Sequence, residues 1–161
     1  MKILGIETSC DETALSILDG STKKEGGKDT PVFSVLGTAL FSQIKIHEQY
    51  GGVFPALAKR EHAKNLVPLL KNLLDQTDFA KEKSSPLSQE QKDHIKNLLE
   101  KEIGLFDVLV EYIEKIARPD IDAIAVTYGP GLEPALWVGI SFAKALGYIW
   151  GIPVVPVNHM E

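Results

Sequence analysis

Residues 2–7 (KILGIE) and 13–18 (TALSIL) are short β-rich runs joined by a polar heptapeptide, Glu7-Thr8-Ser9-Cys10-Asp11-Glu12-Thr13, the pattern of a hairpin. The stretch 19–31 is rich in Gly, Lys and Asp without any period and reads as a loop. Residues 32–42 predict a third strand, with Gly37 as the place for a bend. Three successive strands make an antiparallel meander the economical arrangement.

From Phe54 to Thr77 the period becomes helical. Leu66, Leu69, Leu70, Leu73 and Leu74 form one apolar stripe, which Pro68 is expected to kink or interrupt. Residues 78–104 are dense in Lys, Glu, Gln and Ser, with Ser88 placed to cap a mostly solvated helix, and read as a surface insertion. An amphipathic helix follows over 106–118, then an apolar strand over 122–128 of the kind buried on both faces. After Gly129-Pro130-Gly131, residues 135–150 predict a helix in which Gly139, Ala143 and Gly147 share a face, small enough to let its backbone approach a sheet. Residues 153–159 are the last strand. This order specifies an α/β sheet with a right-handed helical crossover between its last two strands.

The chain of 161 residues, 44% of them hydrophobic, suits a single domain spanning 1–161. Its 17 basic and 22 acidic side chains give a net charge of −5, so no global attraction draws it to nucleic acid or anionic lipid, and any RNA contact must be local. The single cysteine, Cys10, excludes an intramolecular disulfide, and Met1-Lys2 leads at once into a strand rather than a signal peptide. A cytoplasmic setting is expected. The apolar stretch 135–157 carries Lys144, Pro153 and Pro156, which favour a buried helix and strand over a membrane span.

Three places carry candidate chemistry. Thr8, Ser9, Asp11, Glu12 and Thr13 can be ordinary turn formers, or a set of hydroxyls for a phosphate with carboxylates for a metal or a proton. Gly129 and Gly131 can merely start a helix, or bring backbone N–H groups and a positive dipole end to an anion. His159 can be structural, or a metal ligand at the carboxyl end of a strand, where ligands of open α/β sheets collect. In addition, Lys45, His47, Lys59, Arg60, His62 and Lys64 form either a solvated helix face or a basic strip for nucleic-acid phosphates, which the resemblance given below makes those of tRNA. The leucine stripe is core first and a partner-helix surface second.

Taken in order, "GIETSCDETA", "QYGGVFPALAKREHAKNLVPLL", "AVTYGPGLEPALWVGISFAKALG" and "IPVVPVNHME" resemble the bacterial TsaD family, also described as Gcp-like or O-sialoglycoprotein-endopeptidase-like proteins. The resemblance covers residues 1–20, 40–75 and 120–161. It implies an actin/Hsp70/hexokinase-type fold of two similar α/β halves, of which this chain resembles the first, with the C-terminal half absent. It also implies transfer of an L-threonylcarbamoyl group from threonylcarbamoyl-AMP to the exocyclic amine of the tRNA adenosine beside the anticodon.

In the family, the strand after the GPG helix ends in His-Met-Glu-Gly-His, whose histidines bind iron or zinc. Here only His159-Met160-Glu161 matches, so the resemblance makes His159 one metal ligand of an incomplete site. Asp11 or Glu12 would take the proton from the attacking amine, with Thr8, Ser9, Gly129 and Gly131 contacting the donor. The implied partners are tRNA, a TsaB-like paralogue and a TsaE-like ATPase.

Two departures from the family pattern stand out: the long charged stretch 78–104, and Glu133-Pro134 with Trp137 where smaller residues often follow GPG. Rival readings are a metallopeptidase of the Gcp type, a non-catalytic scaffold paralogue of the same fold, and a sugar kinase. The zinc-protease signature His-Glu-x-x-His is absent, His159 weighs against a scaffold, and nothing selects a sugar.

Overall fold

Alternation in the first strand decides the layering of the molecule. Leu4 and Ile6 are buried, whereas Ile3, Gly5 and Glu7 between them are only half-buried. One face of the sheet therefore meets the core and the other does not. The computed structural model describes residues 1–83 and 86–160. Its elements are β1 (Lys2–Glu7), β2 (Glu12–Glu25), β3 (Lys28–Ser42), α1 (Ile44–His47), α2 (Pro55–Gln76), α3 (Gln89–Leu98), α4 (Leu105–Ile113), β4 (Ala123–Gly129), α5 (Glu133–Trp150) and β5 (Val154–Asn158).

The strands form one mixed sheet in the order β3-β2-β1-β4-β5. The β1–β2 and β2–β3 pairs are antiparallel, and β4 runs parallel to both β1 and β5. This is the mixed α/β sheet with antiparallel N-terminal strands expected for a half of the actin/Hsp70/hexokinase type. Parallel strands need a crossover, and α5 supplies the one between β4 and β5.

Leu4, Ile6, Leu15, Ile17, Ala39, Ile124 and Val126 of the sheet pack against Leu66, Leu70, Leu73 and Leu74 of α2 and Val138, Phe142 and Leu146 of α5. The small residues of α5 act as expected: a methyl group on Gly147 would come within 2.6 Å of Val154 Cγ2, and one on Gly139 would collide with the Thr8 hydroxyl. The bend expected near Gly37 coincides with a register shift between Ile17 and Leu18, which places Leu36 in a bulge.

Several expectations are corrected. Residues 19–31 are not a loop. β2 continues to Glu25 and β3 begins at Lys28, so a long exposed ribbon closes through Gly26 and Gly27, both at positive φ (59° and 80°). Pro68 does not interrupt α2, because its ring is exposed and the carbonyl it leaves without a backbone donor can turn to water. The stretch 78–104, of which Ser84 and Ser85 lie outside the described residues, is not merely surface. Ser88 and Gln91 do form a capping box on α3, but Ile95 and Leu99 enter the core. The helix expected over 106–118 ends at Ile113. β4 is not buried evenly on both faces: Ile124 and Val126 are buried on one, while on the other Ala123 and Ala125 are half-covered and only Thr127 is buried.

Candidate active site at the carboxyl ends of three strands

β1, β4 and β5 point the same way, so their carboxyl ends lie together, and Glu7 is the last residue of β1. The register pairs Ile6 with Val126, which sets Glu7 beside Thr127 on the face away from the core. There the Glu7 carboxylate gathers three partners. One oxygen accepts the Ser9 N–H at 2.5 Å, and the other accepts the Thr127 hydroxyl and lies 3.2 Å from His159 Nδ1. Burial acts to raise its pKa, but the hydrogen bonds from Ser9, Thr127 and His159 together outweigh burial and hold it below the ordinary carboxylate value.

An ionised carboxylate can only accept, so Nδ1 of His159 must carry the proton in this contact. Among the described residues, no hydrogen bond involves Nε2 of that ring. His159 is itself placed by its backbone, whose N–H donates to the Gly129 carbonyl at 2.8 Å. Glu7 was missed in the sequence, where it reads as the last position of a strand.

The turn after β1 is clipped to α5 and its approach. The Thr8 hydroxyl donates to the Ala135 carbonyl at 2.9 Å, and the Ser9 carbonyl accepts the Leu132 N–H at 2.7 Å. A Cβ on Gly131 would stand 2.6 Å from the Ser9 oxygen, so this glycine is required by close backbone approach. Gly129 joins Pro130 through a cis peptide. Thr8, expected to contact substrate, is instead buried with its hydroxyl committed to the helix. Asp11 is half-buried, its carbonyl accepting the Gln43 N–H at 2.8 Å, and Glu12 is exposed at the start of β2. Burial pushes the Cys10 thiol up, and the hydrogen-bonded Asp11 beside it adds to the shift.

The expected basic strip is broken. His47 and His62 are buried, at 3% and 0% exposure, in a closed polar cluster. His62 Nε2 donates to the Cys10 carbonyl at 3.1 Å, and its Nδ1 accepts from Thr13 Oγ1 at 2.8 Å and Gln43 Nε2 at 3.3 Å. His47 Nε2 donates in turn to Gln43 Oε1 at 3.0 Å, and its Nδ1 takes the Phe54 N–H at 3.4 Å. Burial, the largest influence, lowers the His62 pKa against the opposing pull of the Cys10 carbonyl. Lys59 is also drawn away, to a 3.3 Å ion pair with the buried Glu102. Lys45, Arg60 and Lys64 are what remain exposed.

Among the described residues, no group of three His, Cys, Asp or Glu side chains stands close enough to hold a metal ion. His159 is thus a single candidate ligand, and Glu161, the last letter of the His-Met-Glu match, lies outside the described residues. No helix among the described residues is long and apolar enough to cross a membrane.

A mixed sheet whose parallel strand ends carry a polar turn, a half-buried carboxylate and a histidine is the class of α/β domain that presents a ligand site at its carboxyl edge. The model of one such family, described as TsaD: tRNA N6-adenosine threonylcarbamoyltransferase, matches residues 34–85 and 91–161. The chain belongs to that family.

Among solved structures it is similar to YeaZ from Pseudomonas aeruginosa, with 16% identity, a TM-score of 0.46 and 98% of this chain covered. It is similar too to an uncharacterized protein with similarity to peptidase YEAZ from Pseudomonas aeruginosa, with 17% identity, a TM-score of 0.47 and the same coverage. The chain spans 43% of the length of each of these two structures.

Proposed function

We propose that the protein carrying this chain transfers an L-threonylcarbamoyl group from threonylcarbamoyl-AMP to the exocyclic amine of the tRNA adenosine beside the anticodon. The observation that carries the reading is the meeting of His159 with Glu7 next to the Asp11-bearing turn, in a chain of this family. A scaffold paralogue has no need of an imidazole with one nitrogen held and the other free.

The donor is a mixed anhydride, so its carbonyl is activated and AMP leaves readily. The adenosine amine attacks that carbonyl, a C–N bond forms, and the bond to the phosphate oxygen breaks with its electron pair departing on AMP. The amine must lose a proton, and Asp11 in the bend is our choice of acceptor, with Glu12 as the alternative. Ser9 and Gly131 shape the floor through their close backbone contact. The exposed Lys45, Arg60 and Lys64 are available to tRNA phosphates.

We assign iron or zinc on the resemblance alone: a neutral imidazole with Nδ1 engaged presents Nε2 as one ligand, short of the about three protein ligands that catalytic sites of this kind use. When bound, the ion supplies Lewis-acid polarisation of the donor carbonyl. We place the activity in the cytoplasm, with a TsaB-like paralogue and a TsaE-like ATPase as partners, on the resemblance alone.

The test is incubation with tRNA and threonylcarbamoyl-AMP, followed by mass spectrometry of the released nucleosides, beside a parallel assay on peptides. Threonylcarbamoyladenosine formation that is lost in His159→Ala supports the reading. Peptide cleavage without tRNA modification identifies a metallopeptidase, and neither activity alongside binding to a partner of the same fold identifies a scaffold.

A further inference from the structure

The two departures from the family pattern, the charged stretch 78–104 and Glu133-Pro134 with Trp137, meet in space. They line one cleft of 500 Å3 on the helix layer, walled by the end of α3 and the residues just beyond it, by Trp137 and Lys144 of α5, and by Lys59 of α2. That volume lies inside the roughly 300–1,000 Å3 of small-molecule sites. None of the lining residues belongs to the strand ends.

Two features call for an occupant. Glu102 lines the cleft, but its side chain is only 2% exposed, so its carboxylate lies at the floor. Lys59 Nζ stands 3.3 Å from Oε2 and offsets the charge, yet the pair lacks the alignment of a hydrogen bond, and among the described residues Oε2 has no hydrogen-bond partner. A buried carboxylate oxygen without a donor is costly, and an incoming N–H relieves that cost. The second feature is Trp137, an indole 50% exposed on a helix whose other tryptophan, Trp150, is 4% exposed. An aromatic plane open to solvent takes another plane by stacking.

The Lys144 ammonium lies over that ring, 5.7 Å from its centroid. An exposed cation–π contact is weaker than a stacked base, so a planar ligand displaces this flexible side chain and gains its charge as a partner. A basic side chain from a partner protein would give Trp137 only what Lys144 already gives. Three lysines and three glutamates line the cleft, which suits a ligand with a single phosphate better than a polyphosphate chain.

We propose that this cleft binds an amine-bearing nucleobase with one phosphate attached, as a free mononucleotide or as an unpaired nucleotide of RNA. The base stacks on Trp137, its exocyclic amine donates to Glu102 Oε2, and the phosphate meets Lys144 and the exposed Lys101. The site does not depend on the reaction proposed for the strand ends.

The experiment is equilibrium dialysis of the full chain against labelled AMP, with purine riboside monophosphate, adenosine and a single-stranded oligoadenylate as competitors. Purine riboside monophosphate has the same rings without the amine, so it should compete roughly 10- to 100-fold less well than AMP, as expected for one hydrogen bond to a charged acceptor. Adenosine should compete a few-fold less well, by a margin that closes at high salt. Trp137→Leu should weaken AMP binding roughly 10-fold or more. Glu102→Met should erase the preference for AMP over its amine-free analogue.

No saturable AMP binding, equal competition by the amine-free analogue, or unchanged affinity in Trp137→Leu overturns the proposal. A preference that persists in Glu102→Met overturns the role of Glu102. If that variant shifts the emission of the buried Trp150 and so has lost its fold, the analogue comparison on the native protein decides. Adenosine competing as well as AMP at low salt overturns the phosphate contact. Oligoadenylate competing more than about 10-fold better than AMP supports the site with RNA as its source, and a smaller gain supports it with the free nucleotide. None of these readouts involves tRNA modification, so this site and the proposed transferase activity can fail separately.

Discussion

Two polar clusters flank the first turn of this protein, and each is built around histidine. In the closed one, Thr13, Gln43, His47 and His62 satisfy one another, the Cys10 carbonyl and the Phe54 N–H, and His62 is wholly buried. In the open one, Glu7 engages one nitrogen of His159, and among the described residues nothing engages the other, on a ring that is 47% exposed. The difference lies in what is left over. A histidine whose two nitrogens are both consumed inside the fold contributes stability, whereas one with a lone pair to spare at a strand end can do chemistry.

The sharpest way to break this contrast is His62→Ala. It leaves Thr13, Gln43 and the Cys10 carbonyl without a buried partner and opens a cavity, so we expect a loss of about 3 kcal/mol in denaturant unfolding. The same substitution at His159 should leave the unfolding midpoint nearly unchanged, since an exposed side chain away from the core is lost. Asp11→Ala is the converse experiment. It should lower tRNA modification by roughly 100-fold with little change in stability if Asp11 takes the amine proton, and unchanged turnover would remove Asp11 from that role.

Thr8→Val removes the buried hydroxyl that ties the turn to Ala135 and should cost about 1–2 kcal/mol, read by thermal unfolding. The smallest effect is that of acid on the closed cluster. The folded pKa of His62 lies below its ordinary 6.5, so between the two values the unfolded chain binds a proton that the folded chain refuses. Its contribution to stability is therefore complete above pH 6.5 and is lost as pH falls from there through the lowered folded value. A thermal midpoint that does not decline over that window would show that His62 is not held neutral by the fold.

Much of the fold was legible because period and burial agree. Leu4 and Ile6 alternate correctly, the leucines of α2 form their stripe, and the small residues of α5 sit where the sheet comes close. What was misread shares a cause. The ribbon around Gly26 and Gly27 is exposed on both sides, so its strands carry no alternation to detect, only backbone pairing. Ile95 and Leu99 lie four apart in a charge-rich segment, and that spacing was the available sign that α3 reaches the core.

The turn and His159 stand at the carboxyl ends of β1 and β5, on either side of β4, and meet through Glu7. The residue joining them was not legible in the sequence, because the parallel register that sets Glu7 beside Thr127 is a tertiary fact. Period two alone placed Glu7 on the face opposite Leu4 and Ile6, and that was the signal to follow. His47 and His62 were taken for surface charge because helical spacing does not report which neighbours fill the space above a turn.

One feature of the sheet governs how the molecule behaves in a tube. Among the described residues β3 is an outermost strand with no neighbour on its far side, and Phe33, Val35, Leu36 and Leu40 along it are all more than 40% exposed. Lys28, Asp29 and Pro31 guard only its distal end. The central stretch is a template on which another chain can stack edge to edge, so concentrated samples should thicken through this strand first, and a lysine at Val35 should keep them clear.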